Sequence, residues 1–395
     1  MKSFEHLKSC AICNDKDIVK IANLPHFPLT GIFVKNKDIG KGINFDQGLL
    51  VCQKCGHMQL EYALNPGILY NNEYAHRSSS SHLSDSASDF TIKHIDTLSS
   101  KEKFDCILEI GCNDMILLNK LSLKGKKVFG VDPIWENKTV KTLDNVKVIG
   151  GFVEDIDLIN EIGESPDLIV STHNLEHILN PLSLVDRLLN MLSNDGIIVM
   201  EVPDSDFLVN HSRFDQVFHQ HVHYFTLASF VRMISEAGGY YYSHVRNYSN
   251  WGGSLTVVFG KNKNHKLDTN PSINRLNPSE VKYKYDTYVD HMDKFRMNLE
   301  ESVSPIVGYG AGQMVPAVAY YLKSDLNFLE CIYDDDPSRD GLYYPNLKPR
   351  ISKPEKGLIF DNFSVFITAL DGVRPIMNKL YAKNPRFIFS SGNIF

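Results

Sequence analysis

No stretch of this chain approaches the roughly 20 consecutive apolar residues that a membrane-spanning helix requires, so a helical membrane anchor is not expected. The polar start Met1-Lys-Ser-Phe-Glu5 lacks the basic flank and apolar core of a secretion signal, and a cytoplasmic location is expected. Basic charge is not in excess either. Lys and Arg number 41 against 47 Asp and Glu, and the net charge of −6 offers no electrostatic footing for nucleic acid or an anionic membrane surface. What remains is ordinary globular text, 43% hydrophobic and 22% charged, whose 395 residues suit about two to three domains.

Glycine is missing at two informative places. The segment Cys106-Ile-Leu-Glu109-Ile-Gly111-Cys-Asn113-Asp-Met115 reads as a short apolar strand, a turn at Gly111 and a helix from near Asn113. Asn113 and Met115 stand where a pyrophosphate-binding loop would place glycines. That departure disfavours a dinucleotide and favours a nucleoside cofactor without phosphates, such as S-adenosyl-L-methionine. Asp132, ending the next strand, is spaced to accept hydrogen bonds from ribose hydroxyls. A third strand leads to Gly150-Gly-Phe152-Val-Glu-Asp155, where Phe152 to Asp155 would meet the adenine. A fourth ends in His173-Asn174, and a fifth runs from Gly196 to Pro203. Strands alternating with helices argue an α/β doubly wound sheet whose ligand lies beyond the carboxyl ends of the strands, where all these polar residues fall.

Seven cysteines in a cytosolic setting argue against a disulfide framework. Four form Cys10-x-x-Cys13 and Cys52-x-x-Cys55, two short turns that can present four thiolates to one Zn2+. The interval from 14 to 51 is long enough to carry its own hairpin, and His26 and His57 are possible substitute ligands. Residues 1–75 therefore read as a zinc-binding module too small to depend on its core alone. Tyr74-Ala-His-Arg-Ser-Ser-Ser-Ser-His-Leu-Ser84 is either a flexible linker or, given its interleaved aromatic and histidine residues, an ordered loop over the site. Residues 76–275 hold the cofactor strands, a helix from about Thr226 to Ala237 and strand-like runs at Tyr240 to Tyr248 and Ser254 to Gly260. A helix over 277–301 leads into residues 276–395, where Pro305-Ile-Val-Gly308-Tyr-Gly-Ala-Gly312 is a strand entering a glycine turn able to hold phosphate. A second, smaller doubly wound unit is expected there.

Taken in order, the two cysteine pairs, Glu109-Ile-Gly-Cys-Asn-Asp114, Glu201-Val-Pro203, His219-x-His221, Gly252-Gly-Ser-Leu255, Gly308-Tyr-Gly-Ala311, Asp334-Asp-Asp-Pro337 and Tyr344-Pro345 make nearly the whole chain resemble the nucleotide-sugar C-methyltransferases. That resemblance implies an N-terminal zinc-binding domain, a central class I methyltransferase domain binding S-adenosyl-L-methionine, and a C-terminal Rossmann-like domain contributing to nucleotide-sugar binding. It implies methyl transfer to a carbon beside a ketone in a thymidine diphosphate-linked deoxysugar, with a histidine as base. The family's loop Tyr-His-Glu-His reads Phe218-His219-Gln220-His221 here, so His221 keeps the base position while the phenol and the carboxylate are gone. Its His-Gly-Gly-Ser-Leu-Arg reads Trp251-Gly-Gly-Ser-Leu-Thr256, without the imidazole and the cation.

A carbon bound to hydrogen becomes a nucleophile only when a base removes the proton, so such an enzyme needs a base and a donor to the enolate oxygen. The candidate catalytic residues are His221, His219 and His223, whose alternation would set all three on one face of an extended segment. His219 or His223 would orient His221 or donate to the acceptor. A catalytic metal held by the three imidazoles is a second reading of the same run, and structural histidines a third. Methylation of an oxygen or nitrogen on a sugar or nucleotide-linked metabolite is the alternative activity, since it needs only one base. A cofactor-binding scaffold without turnover is the non-enzyme alternative.

Overall fold

In the computed structural model, residues 4–35, 42–69, 82–99, 101–138, 140, 142–249, 253–265 and 273–391 are described. Residues 70–81 of the serine-rich segment, together with Trp251 and Gly252, lie outside the described residues.

The N-terminal part contains β1 (Phe4–His6), β2 (Ile18–Pro28), β3 (Asn44–Cys52), β4 (Met58–Leu60), β5 (Tyr62–Leu64) and a helical turn α1 (Pro66–Leu69). β2 and β3 pair antiparallel, so the interval between the cysteine pairs carries two paired strands. β3 pairs with β4. The fourth strand of this sheet comes from far downstream: β11 (His223–Tyr224) sets His223 opposite Gln59 and Tyr224 opposite Met58. A segment expected to belong to the central domain therefore completes the sheet of the N-terminal module.

The central part runs α2 (His82–Leu98), β6 (Phe104–Ile110), α3 (Ile116–Leu121), β7 (Gly125–Asp132), β8 (Val146–Gly150), α4 (Leu158–Ile162), β9 (Leu168–Thr172), α5 (Pro181–Met191), β10 (Ile197–Pro203), α6 (Ser205–Asn210), α7 (Leu227–Glu236), β12 (Tyr240–Asn247) and β13 (Ser254–Gly260). Its seven-stranded sheet has the order β12-β13-β10-β9-β6-β7-β8. The five strands from β10 to β8 are parallel, and β13 and β12 join antiparallel. This is the class I methyltransferase arrangement, made mixed by its last two strands. The period of two along each strand separates two cores: Leu108, Ile110, Ile169, Ile198 and Met200 face Val185 and Leu188 of α5 and Phe230 and Met233 of α7. Ile107, Val128, Leu168, Val170 and Val199 face Leu117 and Leu118 of α3 and Ile95 of α2. Each such side chain contributes about 2 kcal/mol relative to exposure.

The helix expected near Asn113 starts at Ile116 instead, because Asn113 (φ 40°) and Met115 (φ 69°) are both left-handed and hold the chain in a turn. α7 begins at a reciprocal cap in which Thr226 and Ser229 satisfy each other's backbone N–H groups.

α8 (Pro278–Glu300) buries Val281, Tyr285, Tyr288, Met292, Phe295 and Leu299, a spacing of three and four that marks one helix face. After it come β14 (Ile306–Tyr309), α9 (Val315–Tyr321), β15 (Leu329–Tyr333), β16 (Ile351–Ser352), β17 (Ser364–Ile367), α10 (Val373–Tyr381) and β18 (Ile388–Phe389). The sheet order β16-β15-β14-β17-β18 is parallel throughout, the smaller doubly wound unit that was expected. One continuous core joins Phe27, Leu49 and Met58 of the N-terminal sheet to Tyr285, Met292, Val318 and Phe366 of the C-terminal part.

Candidate active site and zinc site

The four paired cysteines converge. Cys10 Sγ lies 3.5 Å from Cys55 Sγ, and Cys13 Sγ lies 3.6 Å from both Cys52 and Cys55. Zinc–sulfur bonds of about 2.3 Å in a tetrahedron separate the sulfurs by about 3.8 Å, so the donor set fits one zinc ion closely. Backbone turns hold the sulfurs in place, Asn14 N–H donating to Cys10 O and Gly56 N–H to Cys52 O. Neither histidine considered as a substitute joins them: His26 is solvent-exposed beside Asp46, and His57 Nε2 lies 3.2 Å from His223 Nδ1.

The cofactor residues gather at the carboxyl edge of the central sheet. Gly111 has φ 77°, and a Cβ there would come within 2.8 Å of the Asn174 side chain, so the approach of these two segments requires glycine. Asp132 Oδ2 accepts the Asn113 N–H at 2.8 Å and Oδ1 accepts the Ile134 N–H at 2.9 Å. Its first task is thus to pin the turn after β6. Glu109 is buried, and burial together with the Asp132 charge raises its carboxyl well above the usual range. Glu109 Oε2, Asn113 Oδ1 and Asn174 Oδ1 are buried without a hydrogen-bond partner, a lining that fits a polar nucleoside ligand. Phe152 exposes its ring after β8, and the exposed Asp155 donates its N–H to Phe152 O. His173 is different. Its ring lies 3.5 Å from Glu176 Oε1 and 3.4 Å from Glu201 Oε1. Burial pulls its pKa down, but the two carboxylates overcome this and hold it at about 10, so the ring acts as the cation between them.

Exchanging Asp132 for alanine is expected to weaken binding of the methyl donor by about 1 to 3 kcal/mol, because ribose hydroxyls lose their acceptor and the Asn113 N–H its partner. Calorimetry giving unchanged affinity would remove Asp132 from the site.

The three histidines of the loop do not share a face. His221 N–H donates to Phe218 O at 3.1 Å, closing a turn at His219 and Gln220, and side-chain alternation holds only for extended chain. His219 points into the N-terminal module, its Nδ1 3.3 Å from Gln47 Nε2 and its Nε2 3.0 Å from Phe27 O. His223 spends its nitrogens on His57 and on Leu179 O. Orienting His221, or donating to an acceptor, is therefore not open to either ring, and a metal shared by all three is excluded. Burial pushes both down to about 4. Between pH 6.5 and 4 the unfolded chain takes up protons that the folded chain refuses, so each ring costs about 1.4 kcal/mol of stability per pH unit as pH falls through that window. Denaturant titrations at pH 7 and pH 5 should show the lower stability at pH 5; equal stability would contradict it.

His221 remains at the site, its ring 4.0 Å from that of Phe218 and its side chain 16% exposed. Glu176 and His177, to which the sequence assigned no role, are its neighbours. The signal was present: both follow directly on the end of β9, where an α/β sheet places ligand groups. In the C-terminal unit the glycine turn is already occupied, since Gly310 N–H donates to Tyr333 O and Ala311 N–H to Asp334 Oδ2. Those two amides cannot hold the expected phosphate.

Residues 84–244 match a family described as "Methyltransferase domain", and residues 10–70 match one described as "Putative zinc binding domain". The C-methyltransferase NovU of Streptomyces niveus is 24% identical over 333 residues, 77% of this chain and 76% of that protein. Among solved structures, the N-methyltransferase NodS from Bradyrhizobium japonicum, in complex with S-adenosyl-L-homocysteine, is 16% identical and aligns with 45% of this chain and 87% of its own, at a TM-score of 0.35. A S-adenosylmethionine-dependent methyltransferase from Clostridium acetobutylicum is 13% identical over 44% of this chain and 90% of its own, at a TM-score of 0.34. The two matched regions coincide with the cleft and the cysteine cluster, and the chain is accordingly a S-adenosylmethionine-dependent methyltransferase with an N-terminal zinc-binding domain.

Proposed function

We propose that the enzyme methylates a carbon beside a ketone in a nucleotide-linked deoxysugar, with His221 as general base. The observation that carries this reading is the placement of His221, a largely buried imidazole beside a carboxylate at the carboxyl edge of the sheet. Burial first, and then the neighbouring His177, lower its pKa well below that of a free histidine, so the ring is neutral and able to take a proton at pH 7. The relationship to NovU, a C-methyltransferase, supports a carbon acceptor. S-adenosyl-L-methionine supplies an activated methyl group, which leaves deprotonation and positioning to this chain. Asp132, Asn113 and Asn174 would hold the cofactor, with Phe152 and Asp155 at the adenine end.

In this reading residues 1–75, 76–275 and 276–395 are the zinc, cofactor and nucleotide-sugar parts. A cavity bordered by His211, Arg213, Tyr288 and His291 lies between the central and C-terminal parts, and in this reading the acceptor's nucleotide would bind there. Seven cysteines without a disulfide suit the reducing cytoplasm. Among the described residues no helix is long and apolar enough to cross a membrane.

Incubation with a thymidine diphosphate-linked keto-deoxysugar should release S-adenosyl-L-homocysteine and a product heavier by one methylene on a carbon. Transfer to oxygen or nitrogen instead would move the acceptor to the second activity, and no release from any nucleotide sugar would remove both.

A further inference from the structure

The loss of the family's carboxylate beside the base has a structural reason. Gln220 is buried at the seam with the N-terminal module, where its Nε2 donates to Thr30 O at 3.1 Å and its Oε1 accepts from Thr30 Oγ1 at 3.3 Å. A carboxylate there would turn an acceptor toward the Thr30 carbonyl, so this seam requires the amide. The side chain at 220 is thereby directed at Thr30.

A carboxylate reaches His221 from another element. Glu176 lies in the turn after β9, is fully buried, and has no hydrogen-bond partner at either carboxylate oxygen. Its Oε1 is 3.8 Å from His221 Nε2, 3.9 Å from His177 Nε2 and 3.5 Å from His173 Nδ1. Two bonds stitch its turn to the residues on either side of His221: Val222 N–H donates to Glu176 O at 2.9 Å, and His177 Nδ1 lies 2.8 Å from Gln220 O. The two segments are therefore held side by side, and the distance between the two side chains depends on their rotamers.

We propose that Glu176 is the positioning residue of the base, holding the His221 ring by its Nε2–H and supplying the counter-charge when His221 becomes imidazolium. The inference rests on the reading of His221 as base. In the step itself the acceptor's C–H bond breaks, its proton goes to His221 Nδ1, and the electron pair stays on the acceptor as an enolate. The imidazolium then faces Glu176, whose charge at rest is shared with the His173 cation between Glu176 and Glu201. A gap of 3.8 Å is too long for a hydrogen bond and has to close by about 1 Å when acceptor binds, as catalytic contacts do on forming the complex. A carboxylate this deeply buried is retained only against a cation, and three imidazoles around it provide one at every stage.

The test uses the full-length zinc-loaded protein with 15N-labelled histidine, and the His221 signal is identified from His221→Asn. Glu176→Gln, close to isosteric, should lower the His221 pKa by about one unit or more, the effect of removing an opposite charge at this range. Glu176→Asp keeps the charge at a longer reach and should fall between the two; it also serves if the Gln variant does not fold. Hydrogen–deuterium exchange beside the ketone of a thymidine diphosphate-linked keto-deoxysugar, without methyl donor, should slow at least tenfold in Glu176→Gln. An unmoved His221 pKa overturns the pairing, as does a second metal ion per chain lost with Glu176→Gln. Absence of exchange in the wild type overturns the carbon acceptor alone, since the titration reads Glu176 without any acceptor.

Discussion

Removing zinc is expected to unfold the N-terminal module. Structural zinc sites of this type contribute on the order of 10 kcal/mol to folding, and here three of the four ligands are also core residues: Cys10, Cys52 and Cys55 pack with Leu108, Ile169 and Phe225 of the central part. The damage should therefore spread. Loss of β2, β3 and β4 would unseat β11 and with it the loop that carries His221. One zinc per chain is expected on metal analysis, with a large fall in melting temperature and in methyl transfer on adding a strong chelator or in Cys52→Ser. Protein purified without chelator that contains no zinc, or that melts unchanged after chelation, would dismiss the site.

His221→Asn should keep affinity for the methyl donor and lose turnover by about a hundredfold or more, the usual contribution of a general base. Asparagine retains the size and polarity of the ring but accepts no proton near pH 7. The sign of the pH dependence follows from burial. Because the folded-state pKa of His221 is held well below 6.5, the neutral base persists as pH falls past the point where a free imidazole is protonated, and the acid limb of kcat/KM should lie below pH 6.5. Wild type with an acceptor ketone in deuterated water should exchange the neighbouring hydrogen; exchange that continues in the Asn variant would give the proton to another group.

Much of this was legible in the chain because it is local. Four cysteines at matched spacing define a tetrahedron without knowledge of the fold, and five apolar strands ending in Gly111, Asp132, Gly150, His173 and Pro203 define a sheet with a polar edge. The caps at Thr226 and Asn277 stand within one residue of the expected helix starts. The histidine run failed for a physical reason: alternation assigns faces only to extended chain, and the turn at His219 and Gln220 sends His219 and His223 into the N-terminal sheet. The place of Glu176 just after β9 was legible, but its contact with His221 was not, because it joins segments 45 residues apart, a distance over which no periodicity speaks. The glycine turn before α9 misled because glycine marks a close approach without naming the partner, and the partners of its amides are Tyr333 and Asp334 of the protein itself.

The strand from His223 to Tyr224 also imposes an order on synthesis. The zinc module leaves the ribosome first, with its cysteine pairs complete by residue 55, yet the edge of β4 stays open until about 170 further residues have emerged. Throughout that interval a strand edge is exposed to neighbouring nascent chains. Proteins made from the first 75 residues alone would inherit that unfinished edge permanently, and self-association of such fragments is its expected consequence.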